Sequence, residues 1–514
     1  MQKILLLSFL LISTTTYAQV PEDALRYSFF PQNGTARNLA VGGAMGSLGG
    51  DINATFVNPA GLGFYKTGEF VISPGFFLND NKIAYRGMNS NNKKNAAGFG
   101  ASGLLYGFTS RNNPKVSNAV SFAVTQTANF NNSIQYKGFN NYSSFSEQFA
   151  EEFAKSGYTI DEALNSNSPL PYTSAPALYT YLIDTVKVNG TYQVKGAPEY
   201  ILDAGQAIYQ EMNKTTTGAM SEVALGFAHN SHDKWFWGLS IGIPIIDYNS
   251  NTVFKESDTS ANTSNHFKQF DYTDNFSTTG VGIVGRFGAI YRPKEYIRLG
   301  LSVQTPTYME LTDKRTTTLN TQLENPVGNF SASSQTFTNN EPGASDYRQI
   351  TPFRAIISGS YVFREISNVK RQRAFLTADI EYVHHKGSRF GSMNENKTQY
   401  EKDYFSALNN VVSGYYKGAF NFRVGGELKF NTIMGRLGFA YYGNPYKDAS
   451  LKANRVLLSG GLGYRDKGFF VDLTYVYQVS KDVNFPYRLQ DRANTYAELK
   501  QTRGNVMATV GMKF

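Results

Sequence analysis

The feature that most restricts the fold of this chain is an alternation of apolar and polar residues that recurs along most of its length. In the segment 468–480, every second residue from Phe469 to Val479 is apolar, and the residues between them include Asp472 and Gln478. A membrane β-strand must present an apolar side chain to lipid at every second position, whereas its other face can be polar. The alternation therefore predicts strands with one apolar face.

Fourteen segments of the chain show comparable alternation. They are 64–78, 95–110, 117–130, 218–230, 234–248, 270–290, 295–310, 350–364, 373–386, 417–430, 433–442, 454–464, 468–480 and 503–514. Bacterial single-chain barrels have an even number of strands, and a tilted membrane strand needs roughly 9 to 11 residues. We therefore predict an all-β fold, a transmembrane antiparallel β-barrel of about 14 strands formed by residues 64–514.

The connections between these segments alternate in length. Those after the odd-numbered segments are long, the largest being 131–217, whereas those after the even-numbered segments are as short as Asn431–Thr432. Outer-membrane barrels have short periplasmic turns and long extracellular loops. The pattern predicts a barrel in the outer membrane of a Gram-negative bacterium, with both termini in the periplasm. The alternative is a soluble, secreted all-β protein, which is less attractive for so many long strands without disulfides.

The N-terminus and the composition agree with this location. Residues 1–18 have the plan of a secretory signal peptide, with Lys3 before an apolar run and Ala18 at the exit. No later segment offers the roughly 18 consecutive apolar residues of a membrane-spanning helix. The chain has no cysteine, and its net charge of +9 is spread thinly, so we expect neither disulfides nor a nucleic-acid partner.

Residues 19–63 precede the first predicted strand and do not alternate. This stretch is rich in glycine and alanine, which allow backbone to approach backbone closely, and Asn58-Pro59 sets a turn directly before the first strand. An unstructured periplasmic tail would gain nothing from such small residues. We therefore expect an N-terminal hatch that plugs the lumen of the barrel.

The series G-T-A-R, G-G-A and N-P-A-G-L between Gly34 and Leu62 resembles the FadL/TodX-type family of outer-membrane transporters for long-chain fatty acids and aromatic hydrocarbons. Looser similarity occurs at 287–306, 376–383 and 422–428. The resemblance implies a fourteen-stranded barrel closed by a hatch. The residues that it places in the hatch and along the substrate pathway are Arg37, Phe56, Asn58, Pro59, Ala60 and Gly61.

Members of that family release substrate sideways through a gap beside a kinked third strand. Here the matching segment, 117–130, contains no glycine or proline that would mark a kink. A lateral exit is therefore implied by the resemblance alone.

The largest predicted loop contains a helix-like piece at 144–157. Ser144 and Glu147 have the spacing of a capping box, and Gly157 is a stop signal. Three aromatic side chains share one face of this piece: Phe145, Phe149 and Phe153. They would form either an external groove for a hydrophobic substrate or the packing face of a loop helix.

Other motifs do not indicate catalysis. The glycine pattern at 280–285 matches GxGxxG, but the strand alternation continues past it and no helix follows. The five histidines show no metal-ligand spacing, and Glu151-Glu152 sits on a solvated helix face. We expect no enzyme activity, metal or cofactor. Inward charges in a plugged lumen should pair with one another or with the hatch: Arg286, Arg298, Asp379, Glu381, Arg423, Glu427, Arg436 and Asp472.

The leading functional hypothesis is passive uptake of a hydrophobic small molecule, fatty-acid-like or aromatic, by a monomer. The other expected partners are outer-membrane lipid and the barrel assembly machinery, which would recognise the aromatic C-terminus at Phe514. One alternative is a shuttle or anchor for secreted proteins. A third hypothesis, a lipid hydrolase, would need a serine beside His384 on the lipid face.

Overall fold

The structure is a computed structural model that describes residues 23–188, 190–260, 262–324, 327–363, 373–449 and 451–514. The predicted signal peptide, 1–18, and residues 19–22 of the predicted hatch lie outside these ranges. Within the described residues, no helix is both long and apolar enough to cross a membrane.

Fourteen antiparallel wall strands, several of them interrupted, form one sheet. Strand β14 pairs with β1, for example Phe70 with Met512, so the sheet closes into a barrel. The strands are β1 (Gly68–Ile72 and Pro74–Tyr85), β2 (Met88–Lys93, Ala96–Phe99 and Ser102–Thr109), β3 (Ser117–Asn129 and Asn132–Asn140), β4 (Ile208–Ser231), β5 (Trp235–Asp258), β6 (Gln269–Lys294), β7 (Ile297–Gln304 and Tyr308–Gln322), β8 (Gly343–Ile350 and Arg354–Phe363), β9 (Ala374–His384 and Arg389–Ser392), β10 (Gly418–Phe430), β11 (Ile433–Tyr442), β12 (Arg455–Asp466), β13 (Phe469–Asn484) and β14 (Ala497–Lys513).

Each predicted segment overlaps one wall strand, which confirms the predicted barrel. Several strands extend further than predicted at the end of the barrel that carries the long connections; β4 and β5 each have 24 residues. These extensions carry polar residues on both faces, as in Asn249–Thr252, and therefore lack the alternation on which the prediction depended. Backbone hydrogen bonding to the neighbouring strands continues regardless of side-chain polarity.

An apolar belt surrounds the outside of the barrel. On β5, alternate residues from Trp235 to Ile245 are exposed and apolar, and the next outward residue is Asp247. On β13 the same face is apolar from Phe469 to Val479. The belt is eleven residues tall on both strands, which matches the roughly 9 to 11 residues of a membrane strand.

The long connections carry the helices outside the wall. The connection after β3 contains α4 (Ser146–Ser156), α5 (Ile160–Ala163), α6 (Ser174–Tyr179), the hairpin Ile183–Val188 with Thr191–Gly196, and α7 (Glu199–Asp203). The connection after β7 adds a strand, Asn329–Ser333, that pairs with β7. The connection after β9 contains α8 (Gln399–Tyr415). Together these elements cover one end of the barrel.

The N-terminal segment, residues 23–64, packs against the inner face of the wall. It comprises the helices α1 (Asp23–Arg26), α2 (Ala36–Ala40) and α3 (Ala54–Val57), followed by a 3₁₀ helix at Pro59–Phe64. The helix that begins at Ala36 is capped by the Thr35 hydroxyl, which accepts a hydrogen bond from the Asn38 amide at 3.1 Å. Most side chains of the segment are buried, so it is a packed part of the fold.

Candidate functional site

The Asn58-Pro59 turn joins the N-terminal segment to the wall. The Asn58 carboxamide accepts a hydrogen bond from the Ala60 amide at 3.1 Å and donates one to the Gly46 carbonyl at 2.5 Å. The Gly61 amide donates to the Asn58 carbonyl at 2.9 Å. Asn58, Pro59, Ala60 and Gly61 are all buried. The turn therefore starts the 3₁₀ helix and also holds it against an earlier part of the segment.

Glycines of the wall receive this segment. A Cβ atom added at Gly288 would overlap the Asn58 side chain, and one at Gly238 would overlap the Pro59 backbone. The same is true of other inward positions that face backbone atoms of the segment: Gly100, Gly300, Gly425 and Gly438. Five of these glycines lie in five different strands, and Gly100 lies between two pieces of β2, so the inner wall is shaped to fit residues 34–60 at close range.

Inward charges of the wall are paired, as the sequence predicts. Arg286 contacts Glu222 at 2.5 Å, and Arg436 contacts Glu427 at 2.6 Å and Asp472 at 2.5 Å. Removing one partner from such a buried pair would leave an uncompensated charge, which costs about 3–5 kcal/mol. This polar inner wall is therefore a rigid structural element.

Several of these charges also hold the N-terminal segment. The Asp379 carboxylate accepts a hydrogen bond from the Gly46 amide at 3.1 Å, and the Arg298 guanidinium donates to the Leu48 carbonyl. Arg37, which the family resemblance places on the pathway, donates to the Gly50 carbonyl at 2.8 Å and lies 3.9 Å from Glu427. Arg37 therefore ties the segment to itself and to the wall.

Phe56, the remaining predicted pathway residue, packs against a small core that includes Ile52 and Ala123. It also lines a small cavity of about 100 Å³ between the segment and the wall. The structure thus brings all six predicted hatch residues into the buried contact between segment and wall.

A cavity of about 1450 Å³ lies inside the barrel on the other side of the N-terminal segment. Leu25, Phe29, Phe30 and Leu39 of the segment form its apolar floor. The wall adds apolar and polar side chains: Phe130, Tyr248, Leu457, Val476, Gln478 and Asn505. The volume is larger than the roughly 300–1,000 Å³ of ordinary small-molecule pockets, and the lining is amphipathic.

Two arginines that line this cavity, Arg455 and Arg503, were not among the site residues predicted from the sequence. Arg455 faces inward with Leu457 and Ser459, and Arg503 faces inward with Asn505 and Met507. Their positions oppose Ser480 and Gln478 of β13, so the two guanidinium groups flank one strand. Among the described residues neither makes a hydrogen bond or a close ion pair, but Asp482, which lines the same cavity, interacts electrostatically with both. Arg455 also lies 4.3 Å from the centre of the Phe29 ring. The parity of the alternating segments 454–464 and 503–514 would have identified both.

The wall is incomplete between β2 and β3. Backbone pairing between these strands runs from Thr109–Ser117 to Ser102–Val124 and goes no further. Beyond that point, Ala96–Phe99 pairs only with β1, and the facing part of β3 pairs only with β4. Two strands therefore have unpaired backbone edges at the level of the N-terminal segment.

Asn33 of the N-terminal segment bridges this gap. Its side-chain amide donates to the Phe99 carbonyl at 3.0 Å and to the Gln126 carbonyl at 2.7 Å. The Gln126 side chain in turn accepts from the Phe99 amide at 3.3 Å. Strand β3 has no glycine at the gap, as the sequence indicates, but its neighbours have Gly103 and Gly218 with φ of 149° and 105°. The gap is thus closed by side chains.

The predicted external groove is not formed by the three phenylalanines. Phe145, Phe149 and Phe153 are buried in an aromatic core, where Phe145 stacks on Phe254 with 4.7 Å between ring centres. Strand β5 extends far enough above the belt to meet α4, which the sequence pattern could not show. The second interpretation, a loop helix packed on its neighbours, is the one that the structure supports.

His384 is the residue on which the hydrolase hypothesis depends. The His384 ring lies 3.2 Å from the Tyr382 hydroxyl and has no serine as a hydrogen-bond partner in the described parts of the chain. Within the described ranges, no cluster of histidine, cysteine, aspartate or glutamate could hold a metal ion.

Known proteins share this fold at low sequence identity. No family model and no curated protein sequence matches the chain. The crystal structure of a Pseudomonas aeruginosa FadL homologue aligns with a TM-score of 0.53 and 13% identity over 94% of this chain and 99% of that chain. The Pseudomonas putida toluene transporter TodX aligns with a TM-score of 0.51 and 14% identity over 94% and 99% of the two chains. The chain is therefore similar in fold to FadL-type barrels.

Proposed function

We propose that this protein is an outer-membrane channel for the passive uptake of a hydrophobic small molecule, with residues 19–63 as its hatch. In this proposal the long connections are extracellular, and both termini are periplasmic. The observation that carries the proposal is one arrangement: a large amphipathic cavity ends on a buried N-terminal segment beside a gap in the wall. The transport functions named for the structural neighbours agree with it.

The route follows from the contacts. A molecule in the cavity meets Phe29, Phe30 and Leu39 of the hatch, and the hatch residue Asn33 also closes the gap between β2 and β3. A small shift of the hatch would therefore break the Asn33 bridge and open a path toward lipid. The remaining barrel wall would stay closed because its backbone pairing does not depend on the hatch.

Arg455 and Arg503 share one nearby acid, Asp482, and this excess of positive charge favours an amphiphile with an anionic end over a neutral aromatic hydrocarbon. Two partly buried guanidinium groups beside a single carboxylate leave one positive charge uncompensated, and an anionic ligand would compensate it. The apolar residues Phe29, Leu457 and Val476 lie next to them and would contact the hydrophobic part of the same molecule. A long-chain carboxylate has this chemistry.

A reversible disulfide between the hatch and the wall tests whether uptake requires movement of the hatch. The Ser47 hydroxyl of the hatch and the Ser360 hydroxyl of β8 are 2.6 Å apart. Because the chain has no native cysteine, Ser47→Cys with Ser360→Cys can form only one disulfide. We expect oxidation to reduce uptake of a labelled long-chain carboxylate into proteoliposomes at least tenfold, and reduction to restore it. Ser47→Cys alone, under the same oxidant, is the control. Equal uptake by the oxidised and reduced double variant would refute the moving hatch.

A further inference from the structure

Three lysines stand side by side on the outer surface of the barrel. Lys82 of β1 is directly opposite Lys500 of β14, and Lys500 is directly opposite Lys481 of β13. All three are exposed and share the outward face with Leu78, Val506 and Tyr477 of the apolar belt. We call these residues the lysine row. Directly opposite side chains have Cβ atoms about 4.5–5.5 Å apart, so like charges at such positions destabilise the sheet.

A second row of outward charges, on β3 to β6, is arranged differently and lies further from the apolar belt: Lys255 is ten residues beyond Ile245, the last apolar outward residue of β5. There, Lys137 of β3 is opposite Glu211 of β4, which is also opposite Lys255 of β5. Lys255 is in turn opposite Asp271 of β6. Charges alternate in sign along this second row, so each lysine has an acidic neighbour. The lysine row lacks that compensation.

The lysine row has no protein partner. Among the described residues, Lys82, Lys481 and Lys500 make no ion pair or hydrogen bond. The nearest outward acids are Asp80, which lies 3.9 Å from Lys93, and Glu498, two residues from Lys500, which forms no ion pair with the row. A local positive field is therefore left for an external anion.

The lysine row also has a defined height. On β13, Lys481 is the first outward residue beyond the eleven-residue apolar belt that ends at Val479. On β5 the first outward residue beyond the apolar belt is Asp247. The row therefore lies at the level where lipid headgroups begin, at the end of the barrel that carries the long connections. A ligand held there has its polar part beside the lysines and its acyl chains beside Leu78, Val506 and Tyr477.

From the register, exposure and height of these residues we propose that the lysine row binds the phosphate groups of a phosphorylated glycolipid in the outer leaflet. The membrane source is favoured over a soluble anion because the row is continuous with the lipid-facing belt. This inference rests on the proposed membrane orientation.

The test compares two triple variants of the full chain in neutral detergent with EDTA. The row variant carries Lys82→Gln, Lys481→Gln and Lys500→Gln and lacks the three charges of the row. The control variant carries Lys137→Gln, Lys255→Gln and Lys314→Gln and loses the same number of charges from other outward positions. Lys314 is opposite Ser277 and Ala344, which are neutral. Native mass spectrometry measures binding of diphosphoryl lipid A, with phosphatidylcholine and inorganic phosphate as comparison ligands.

We expect the parent protein and the control variant to bind lipid A equally, and the row variant to bind it at least tenfold more weakly. Without lipid, the row variant should unfold in heat-modifiability gels no earlier than the parent protein, because like-charge repulsion has been removed. Equal lipid A binding by the two triple variants would overturn the inference. Displacement of lipid A by millimolar inorganic phosphate would also overturn it, in favour of a soluble anion. Lys82, Lys481 and Lys500 are also among the residues that line the large cavity, so cargo uptake is measured in both variants. A loss of uptake in the row variant without a loss of lipid A binding would assign the lysines to the cavity and overturn the inference.

Discussion

Replacing Asn58 by alanine should loosen the hatch without opening the barrel wall. The Asn58 side chain is buried and donates to the Leu301 carbonyl of β7 at 3.4 Å. Within the N-terminal segment it also satisfies the Ala60 amide and the Gly46 carbonyl. Asn58→Ala leaves those two backbone groups unpaired, and each such loss costs about 1–3 kcal/mol when the group is buried. None of the wall pairing between neighbouring strands is lost.

The expected magnitude follows from those two groups. Taking about 1.5 kcal/mol for each, the free energy of hatch docking falls by about 3 kcal/mol. Since every 1.4 kcal/mol is a factor of ten, the population of released hatch rises by about 100-fold. Proline at 59 still restricts its own φ and the conformation of residue 58, so the local turn is retained.

The assay uses the absence of native cysteine. Ala44 of the hatch is fully buried, and Ala44→Cys provides a single thiol that a maleimide can reach only when the hatch moves. Its labelling rate should rise by about 100-fold when Asn58→Ala is added. Asn53→Ala is the matched control, because the Asn53 side chain is equally buried but makes no hydrogen bond.

Equal labelling rates in the Asn58→Ala and Asn53→Ala backgrounds would refute the role of the turn in docking the hatch. Failure of Asn58→Ala to form a heat-modifiable barrel would show instead that the turn is needed to start β1. Adding Pro59→Ala should leave assembly intact and change uptake of a hydrophobic cargo in proteoliposomes.

Three further predictions concern the gap, the cavity and the cap, which is the set of loop elements between β3 and β4 that covers one end of the barrel. Asn33→Ala removes the two Asn33 hydrogen bonds across the gap and leaves the one between Phe99 and Gln126, so we expect cargo release to rise severalfold in proteoliposomes; an unchanged rate would argue against this exit. Arg455→Gln with Arg503→Gln should reduce uptake of a long-chain carboxylate at least tenfold and leave toluene uptake unchanged; equal losses would exclude an anionic cargo. Burial raises the pKa of Glu199 from its usual 4.5 to about 7, so its contribution to cap stability is complete below pH 4.5 and is lost as the pH rises through about 7. Proteolysis of the loop 141–207 should therefore be faster at pH 8 than at pH 5, and Glu199→Gln should remove most of that difference.

The apolar belt and the strand count could be predicted from the sequence because lipid contact is a local requirement. Each wall strand must have apolar residues at every second position, whatever its partner strands are. The segment from Phe469 to Val479 shows this alternation without interruption. The buried positions of Asn58 and Arg37 could also be anticipated, through glycine-rich composition and family resemblance. The opposite charges Arg286 and Glu222 followed the same logic, since inward charges need partners.

Other features depend on which residues meet across the fold, and periodicity contains no such information. The strands β4 and β5 continue past the belt because their backbones pair, although both faces are polar there. Phe145 is a core residue because the extended part of β5 places Phe254 against it.

The gap between β2 and β3 lies where the backbone pairing of these strands stops, and it is bridged by Asn33, which is distant from both strands in sequence. The lysine row likewise exists only through register: Lys82, Lys481 and Lys500 are unremarkable singly, and three-strand pairing makes them neighbours. Contact with lipid requires side-chain alternation in each strand separately, so the sequence of a strand shows it. Register and gaps depend on hydrogen bonds between strands, and these are determined only in the closed barrel.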